Sequence, residues 1–113
     1  MRTITLGDLI AGLNTISPET PLGEPCGKFA SWRGRYDELT ITHGDSIATA
    51  GELLNAAMAA NGACFEGYKG GSYRMGLNTP VWADDYGCYS QYSINGVLLR
   101  GGKAHISITK RDD

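Results

Sequence analysis

Residues 89–110 read YSQYSINGVLLRGGKAHISITK, and where this run turns decides how the sheet is built. Asn95-Gly96 is among the strongest short hairpin signals, because both central residues of a type I′ turn take positive φ. The stretch is therefore expected to form a strand from Tyr89 to Ile94, a turn, and a strand from Val97 to Arg100. His105 to Lys110 follows as a last strand, with Ile106 and Ile108 alternating onto one face.

Upstream of this run the pattern is also strand and turn. Thr79 to Ala83 is a short strand whose Pro80 belongs at a strand start or an edge. Ala63 to Tyr68 and Ser72 to Met75 flank Lys69-Gly70-Gly71, a second hairpin signal. Lys28 to Trp32 and Tyr36 to Thr42 read as two more strands with Arg33-Gly34-Arg35 near their turn, and Leu39 and Ile41 alternate with Thr40 and Thr42. Before them, Pro18, Pro21 and Pro25 suggest an extended, irregular crossing.

Two stretches break the strand pattern. Thr5-Leu-Gly-Asp-Leu-Ile and Thr49-Ala-Gly-Glu-Leu-Leu share the word T-x-G-[DE]-L-[IL]. Each is a capping box, in which the threonine hydroxyl accepts from a first-turn amide and the acid three residues on reaches back. Leu6, Leu9, Ile10 and Leu13 fall at helical spacing, as do Leu53, Leu54, Ala57 and Met58, and Asn61-Gly62 stops the second helix. An internal duplication is one reading, and two similarly capped helices the plainer one. The expected class is α+β, with two short capped helices packed on a twisted, mostly antiparallel sheet in a single domain, 1–113.

Composition narrows the function. The chain has 113 residues, ten bases and twelve acids, for a net charge of −2, which argues against a protein that coats nucleic acid. A pocket with a few arginines remains compatible with that charge. The sixteen glycines exceed the usual share of roughly 7% about twofold, which suggests tight turns and close backbone approaches. Cys26, Cys64 and Cys88 form no CxxC pair, so they read as free thiols in a reducing compartment and not as a zinc site. The N-terminal stretch MRTITLGDLI is too short and polar for a secretion signal, and no apolar run reaches membrane length. The expected location is the cytoplasm.

No nucleophile elbow, Walker loop, HExxH or paired-cysteine motif is present, and His43 and His105 each stand alone in plain surroundings. An enzyme is therefore not expected, and neither is a cofactor. Binding chemistry is better represented. Many of the ten aromatics stand beside glycine or a charge: Trp32 by Arg33, Tyr36 by Arg35, Tyr68 by Lys69, Tyr73 by Arg74, and Trp82 near Asp84-Asp85. Flat rings stack on bases, arginine forks hold phosphates, and Asp37, Glu38, Asp84 or Asp85 can accept from ribose hydroxyls or an exocyclic amine. The plainer reading is that arginine beside an aromatic is common on exposed sheet faces. In continuous strand geometry Arg33 and Arg35 would share one face and Trp32 would turn to the other.

SWRGRYDELTI at 31–41, the capped TAGELLNAA helix at 49–57 and GYKGGSYRMGLNTPVWADDYG at 67–87 resemble a family of small proteins of tailed-phage genomes. Its members carry a capped N-terminal helix, a Y/W-R-G-x-Y-D-[DE]-L strand, a GYKGG-x-[YF]-x-M hairpin and a TPVW strand. The functional class it looks most like is the phage anti-defence sponge, which binds cyclic nucleotide or cyclic ADP-ribose signals at subunit interfaces without chemistry. That resemblance implies a homo-oligomer in the host cytoplasm with a small anionic nucleotide-like ligand. Arg33, Arg35 and Arg74, with Arg100 as a further candidate, would hold phosphates. Tyr68, Tyr73, Trp82 and Tyr89 would stack on bases, and Asp84 or Asp85 would contact ribose or base. Two alternatives stand beside it: a protein–protein inhibitor of a host defence complex, and a small hydrolase of signalling nucleotides with His43 beside its pocket.

Overall fold

The computed structural model describes residues 3–32, 35–66, 71–85 and 88–109; the side chains at 32, 35, 36, 84, 85 and 88–91 lie outside that description. The elements follow in the order α1 (Leu6–Leu13), β1 (Pro21–Trp32), β2 (Arg35–His43), β3 (Ile47–Thr49), α2 (Ala50–Ala60), β4 (Cys64–Glu66), β5 (Ser72–Arg74), β6 (Val81–Asp85), β7 (Cys88–Arg100) and β8 (Lys103–Thr109). The class is α+β: two short helices on a mostly antiparallel sheet. Among the described residues no helix is long and apolar enough to cross a membrane.

Both helices begin as their sequences dictate. Asp8 N donates to Thr5 Oγ1 and Thr5 N to Asp8 Oδ2, each at 3.2 Å. Glu52 N donates to Thr49 Oγ1 at 3.2 Å, while Glu52 Oε1 accepts from Thr49 N and from Ala48 N. The glycine of the shared word has a role of its own. Leu6 N and Gly7 N donate outward to Thr79 O and Leu77 O, and Ala50 N and Gly51 N do the same to Thr20 O and Pro18 O, all at 2.8–2.9 Å. The first-turn amides, which no helix can satisfy internally, are thus taken up in pairs by a passing loop. A Cβ on Gly51 would stand 2.8 Å from Pro18 Cβ and 2.9 Å from Pro18 O, so only glycine lets the loop come this close. In α1 the apolar face is Leu6, Leu9 and Leu13. In α2 it is Ala50, Leu53, Ala57 and Ala60, and Met58, expected on the buried stripe, is 55% exposed. The two helices pack on each other, with α1 against β7 and α2 against β1. Leu6, Leu9, Leu13 and Leu53 form one core with Leu39, Val81, Ile94 and Met75.

Asn95-Gly96 is not a hairpin turn. β7 runs straight through it, and the reversal comes at Gly101-Gly102, with Arg100 facing Lys103 and φ of +61° and +78° at the two glycines. Both turns suit the local chemistry, but the later one builds a ladder along the whole of β8, from Arg100–Lys103 to Ser93–Thr109. Asn95 is absorbed as a bulge between Ile94 and Gly96, and its Nδ2 donates to Thr109 Oγ1 at 2.6 Å. The prolines at 21 and 25 also differ from expectation. They lie in β1 itself, at its first residue and at a register break before Cys26, the two kinds of position a strand offers proline. β3 carries no signal in the sequence. The 63–75 hairpin forms as expected, as a separate pair β4–β5, with its turn outside the described residues.

The large sheet is cyclic. β1 pairs antiparallel with β2, β2 parallel with β6, β6 antiparallel with β7, β7 antiparallel with β8, and β8 parallel with β1. That last junction is a single ladder pair, Leu22–Ala104. Where β6 and β7 part beyond Trp82–Ser93, residues 3–5 fill the gap: Ile4 N donates to Ile94 O, Val81 N to Ile4 O, and Ile94 N to Thr3 Oγ1.

Helix propensity alone favours Gly51→Ala by about 1 kcal/mol. The contact with Pro18 reverses that sign, so the variant is expected to lower the urea midpoint with unchanged m. Thr49→Ala is expected to cost about 1 kcal/mol in the same experiment.

Candidate ligand cleft

β1 and β8 run parallel, touch at Leu22–Ala104 and then separate. Pro25 offers no N–H to a ladder, and β1 is irregular between Pro21 and Cys26, so it is drawn away towards β2 and β3, to which Cys26 pairs through His43 and Ile47. The separation opens a cleft of about 270 Å³ to which all five strands of the cycle contribute. β1 supplies Leu22 to Cys26, β2 Ile41 to His43, β6 Ala83, β7 Tyr92, and β8 Ala104, His105, Ile106 and Ile108. Most of the wall is apolar, with two imidazoles, one phenol and the carboxylate of Glu24 set into it.

His105 owes its position to a missing side chain across the seam. A Cβ on Gly23 would fall 2.3 Å from its Cε1 and Nδ1, so the ring lies directly on the Gly23 backbone. Cys26 is buried, at 7% exposure, and burial pushes its thiol up to about 11. It therefore stays protonated at neutral pH and is a wall of the cleft, not a nucleophile.

Of the residues marked from sequence, Tyr73, Arg74, Trp82 and Arg100 are described with their side chains, and none of these four lines the cleft. Trp82 is buried, at 8% exposure, and its Nε1 donates to Glu38 Oε1 at 2.7 Å. Its neighbour Ala83 lines the cleft, and alternation sends Trp82 to the opposite face of β6. Tyr73 is half-buried against the core, and Arg74 is exposed beside it on β5. Arg100 is exposed at the Gly101-Gly102 turn. Asp84 and Asp85 continue β6 past Ala83, and Tyr89 lies three residues before Tyr92 in β7, so the register carries all three to the cleft's end of the sheet. Arg33 and Tyr68 lie outside the described residues. Arg35 opens β2 as the cross-strand partner of Trp32. The Trp32–Arg35 pair is the last rung of the antiparallel β1–β2 ladder at that end. That end of the β1–β2 ladder is six residues from Cys26, roughly 20 Å at strand rise.

His105, Tyr92 and Gly23 were not among the residues marked from sequence, and His43 was marked only for the hydrolase alternative. Each stands in an unremarkable local context, and only the β1–β8 seam brings them together. Among the described residues no group of three or more His, Cys, Asp or Glu is placed to hold a metal ion. No family model, curated protein or solved structure matches this chain.

Two measurements check this geometry. Gly23→Ala is expected to move the His105 ring resonances and leave those of His43 in place, read by side-chain NMR. In a Cys64→Ser/Cys88→Ser background, the remaining thiol is expected to react with Ellman's reagent at pH 8 about a hundredfold more slowly than an ordinary thiol, as a rise from 9.0 to about 11 implies. Because the folded state holds that proton more tightly, its contribution to stability is intact below pH 9 and is lost as pH rises towards 11.

Proposed function

We propose that this chain is a binding protein that captures a flat ring of a small nucleotide-like ligand in the β1–β8 cleft and sequesters it without chemistry. The observation that carries the reading is the convergence of His43, His105 and Tyr92, from three separate strands, on one mostly apolar cleft of about 270 Å³. Imidazole and phenol rings are surfaces on which a base stacks. The volume suits one ring system, not a whole dinucleotide. Glu24 at the wall accepts from an exocyclic amine or a ribose hydroxyl and repels phosphate, so the ligand enters base first with its phosphates outside. A protonated Cys26 supports binding over thiol chemistry.

Taken with the phage resemblance, the reading extends to an anti-defence role: removal of a cyclic nucleotide or cyclic ADP-ribose signal in the host cytoplasm. Arg35 then serves the phosphates only if a second copy brings it to the cleft, because within one chain it begins β2 at the far end of the ladder.

The protein is incubated with a panel of cyclic dinucleotides and cyclic ADP-ribose isomers, then heat-denatured, and the released material is analysed. One member is expected to be depleted and returned intact, with a rise in Tm. Tyr92→Ala is expected to weaken its binding ten- to a hundredfold, since a base–aromatic stack contributes about 1–3 kcal/mol. Depletion with return of an altered product would make the protein a hydrolase, and no depletion of any member would remove the nucleotide reading.

A further inference from the structure

β8 is paired with β7 along its whole length. On its other side, among the described residues, it is paired only at Ala104, where it meets Leu22 of β1. From His105 to Thr109 that second edge carries no ladder, and the cleft is the opening left beside it. Natural sheets protect such edges with lysine, proline, inward-pointing charge or very short strands. The shortness rule covers β3, β4 and β5, at three residues each. It does not cover His-Ile-Ser-Ile-Thr at 105–109, which contains no lysine, arginine, acid or proline. Ile108 on this segment is 45% exposed.

We propose that this edge pairs with the same edge of a second copy of the chain, antiparallel, about a twofold axis at Ser107. A twofold pairing sets residue i opposite its mirror about the axis. Centred on Ser107, it places Ile106 of each copy opposite Ile108 of the other, His105 opposite Thr109, and Ser107 opposite itself. Within 105–109 the alignment covers the exposed Ile108 with an apolar cross-strand partner and brings no like charges together. It joins the two sheets into one and, because Ile106 and Ile108 both line the cleft, sets the second copy at each cleft's mouth. The inference does not depend on the ligand reading, and its test is made without ligand.

The axis supplies that test. Ser107→Lys and Ser107→Glu each place two like charges directly opposite at the twofold and are expected to break the pairing, whereas an equimolar mixture of the two variants sets lysine against glutamate and restores it. By light scattering after size exclusion, the wild type is expected at twice the 12.1 kDa chain mass, each variant at half the wild-type mass, and the mixture back at the wild-type mass. Only folded chains can be rescued by mixing, so recovery also excludes simple unfolding. A wild-type monomer, variants that keep the dimer mass, or a mixture that stays monomeric would each overturn the proposal.

Discussion

The junction of β1 with β8 at Leu22–Ala104 is the constraint on which the rest of the structure depends. Five strands form a cycle of pairings, and four of its junctions are ladders while this one is a single rung. The sheet closed there shares one core with the apolar residues of α1 and α2. Separation immediately beyond it creates the cleft, frees the edge of β8 and lets His105 settle on Gly23. A sheet closed by full ladders would offer neither a cleft nor an edge.

The helices solve a related problem. Their first amides have no partners inside the helix, and in both cases a loop brings two carbonyls to them while the threonine and the acid close the box. The T-x-G-[DE] word is therefore a docking element as much as a cap. Its glycine is present for the loop, and its recurrence reflects the same task performed twice, at Leu77–Thr79 and at Pro18–Thr20.

The class, both helices, the capping boxes, most strands and the β4–β5 pair were legible because each rests on a local period or a local hydrogen bond. The turn of the last hairpin was not. Asn95-Gly96 and Gly101-Gly102 both suit a tight reversal, and what separates them is the length of ladder each allows against β8, a sum over residues remote from either turn. The candidate site was less legible still. Aromatics beside charged residues looked like binding equipment, yet the Trp82 indole is taken up by Glu38, Arg74 is exposed on β5, and Arg35 starts a strand far from the cleft. His105, which stands in a plain local context, shares the cleft with His43, marked only for the hydrolase alternative.

Taken alone, the sequence determined what short-range physics controls: where helices start, which faces are apolar and where strands lie, together with a net charge of −2. Only the tertiary structure decided that the sheet is cyclic, that Asn95 is a bulge, and that His43, Tyr92 and His105 meet. Those outcomes depend on which strands become neighbours, and strand neighbours are chosen by hydrogen bonds and packing between residues up to some eighty positions apart, such as Leu22 and Ala104. The SWRGRY stretch shows the difference in miniature. Its sequence placed a turn near Arg33-Gly34-Arg35, and the pairing of Trp32 with Arg35 sets that end of the β1–β2 ladder six residues from Cys26.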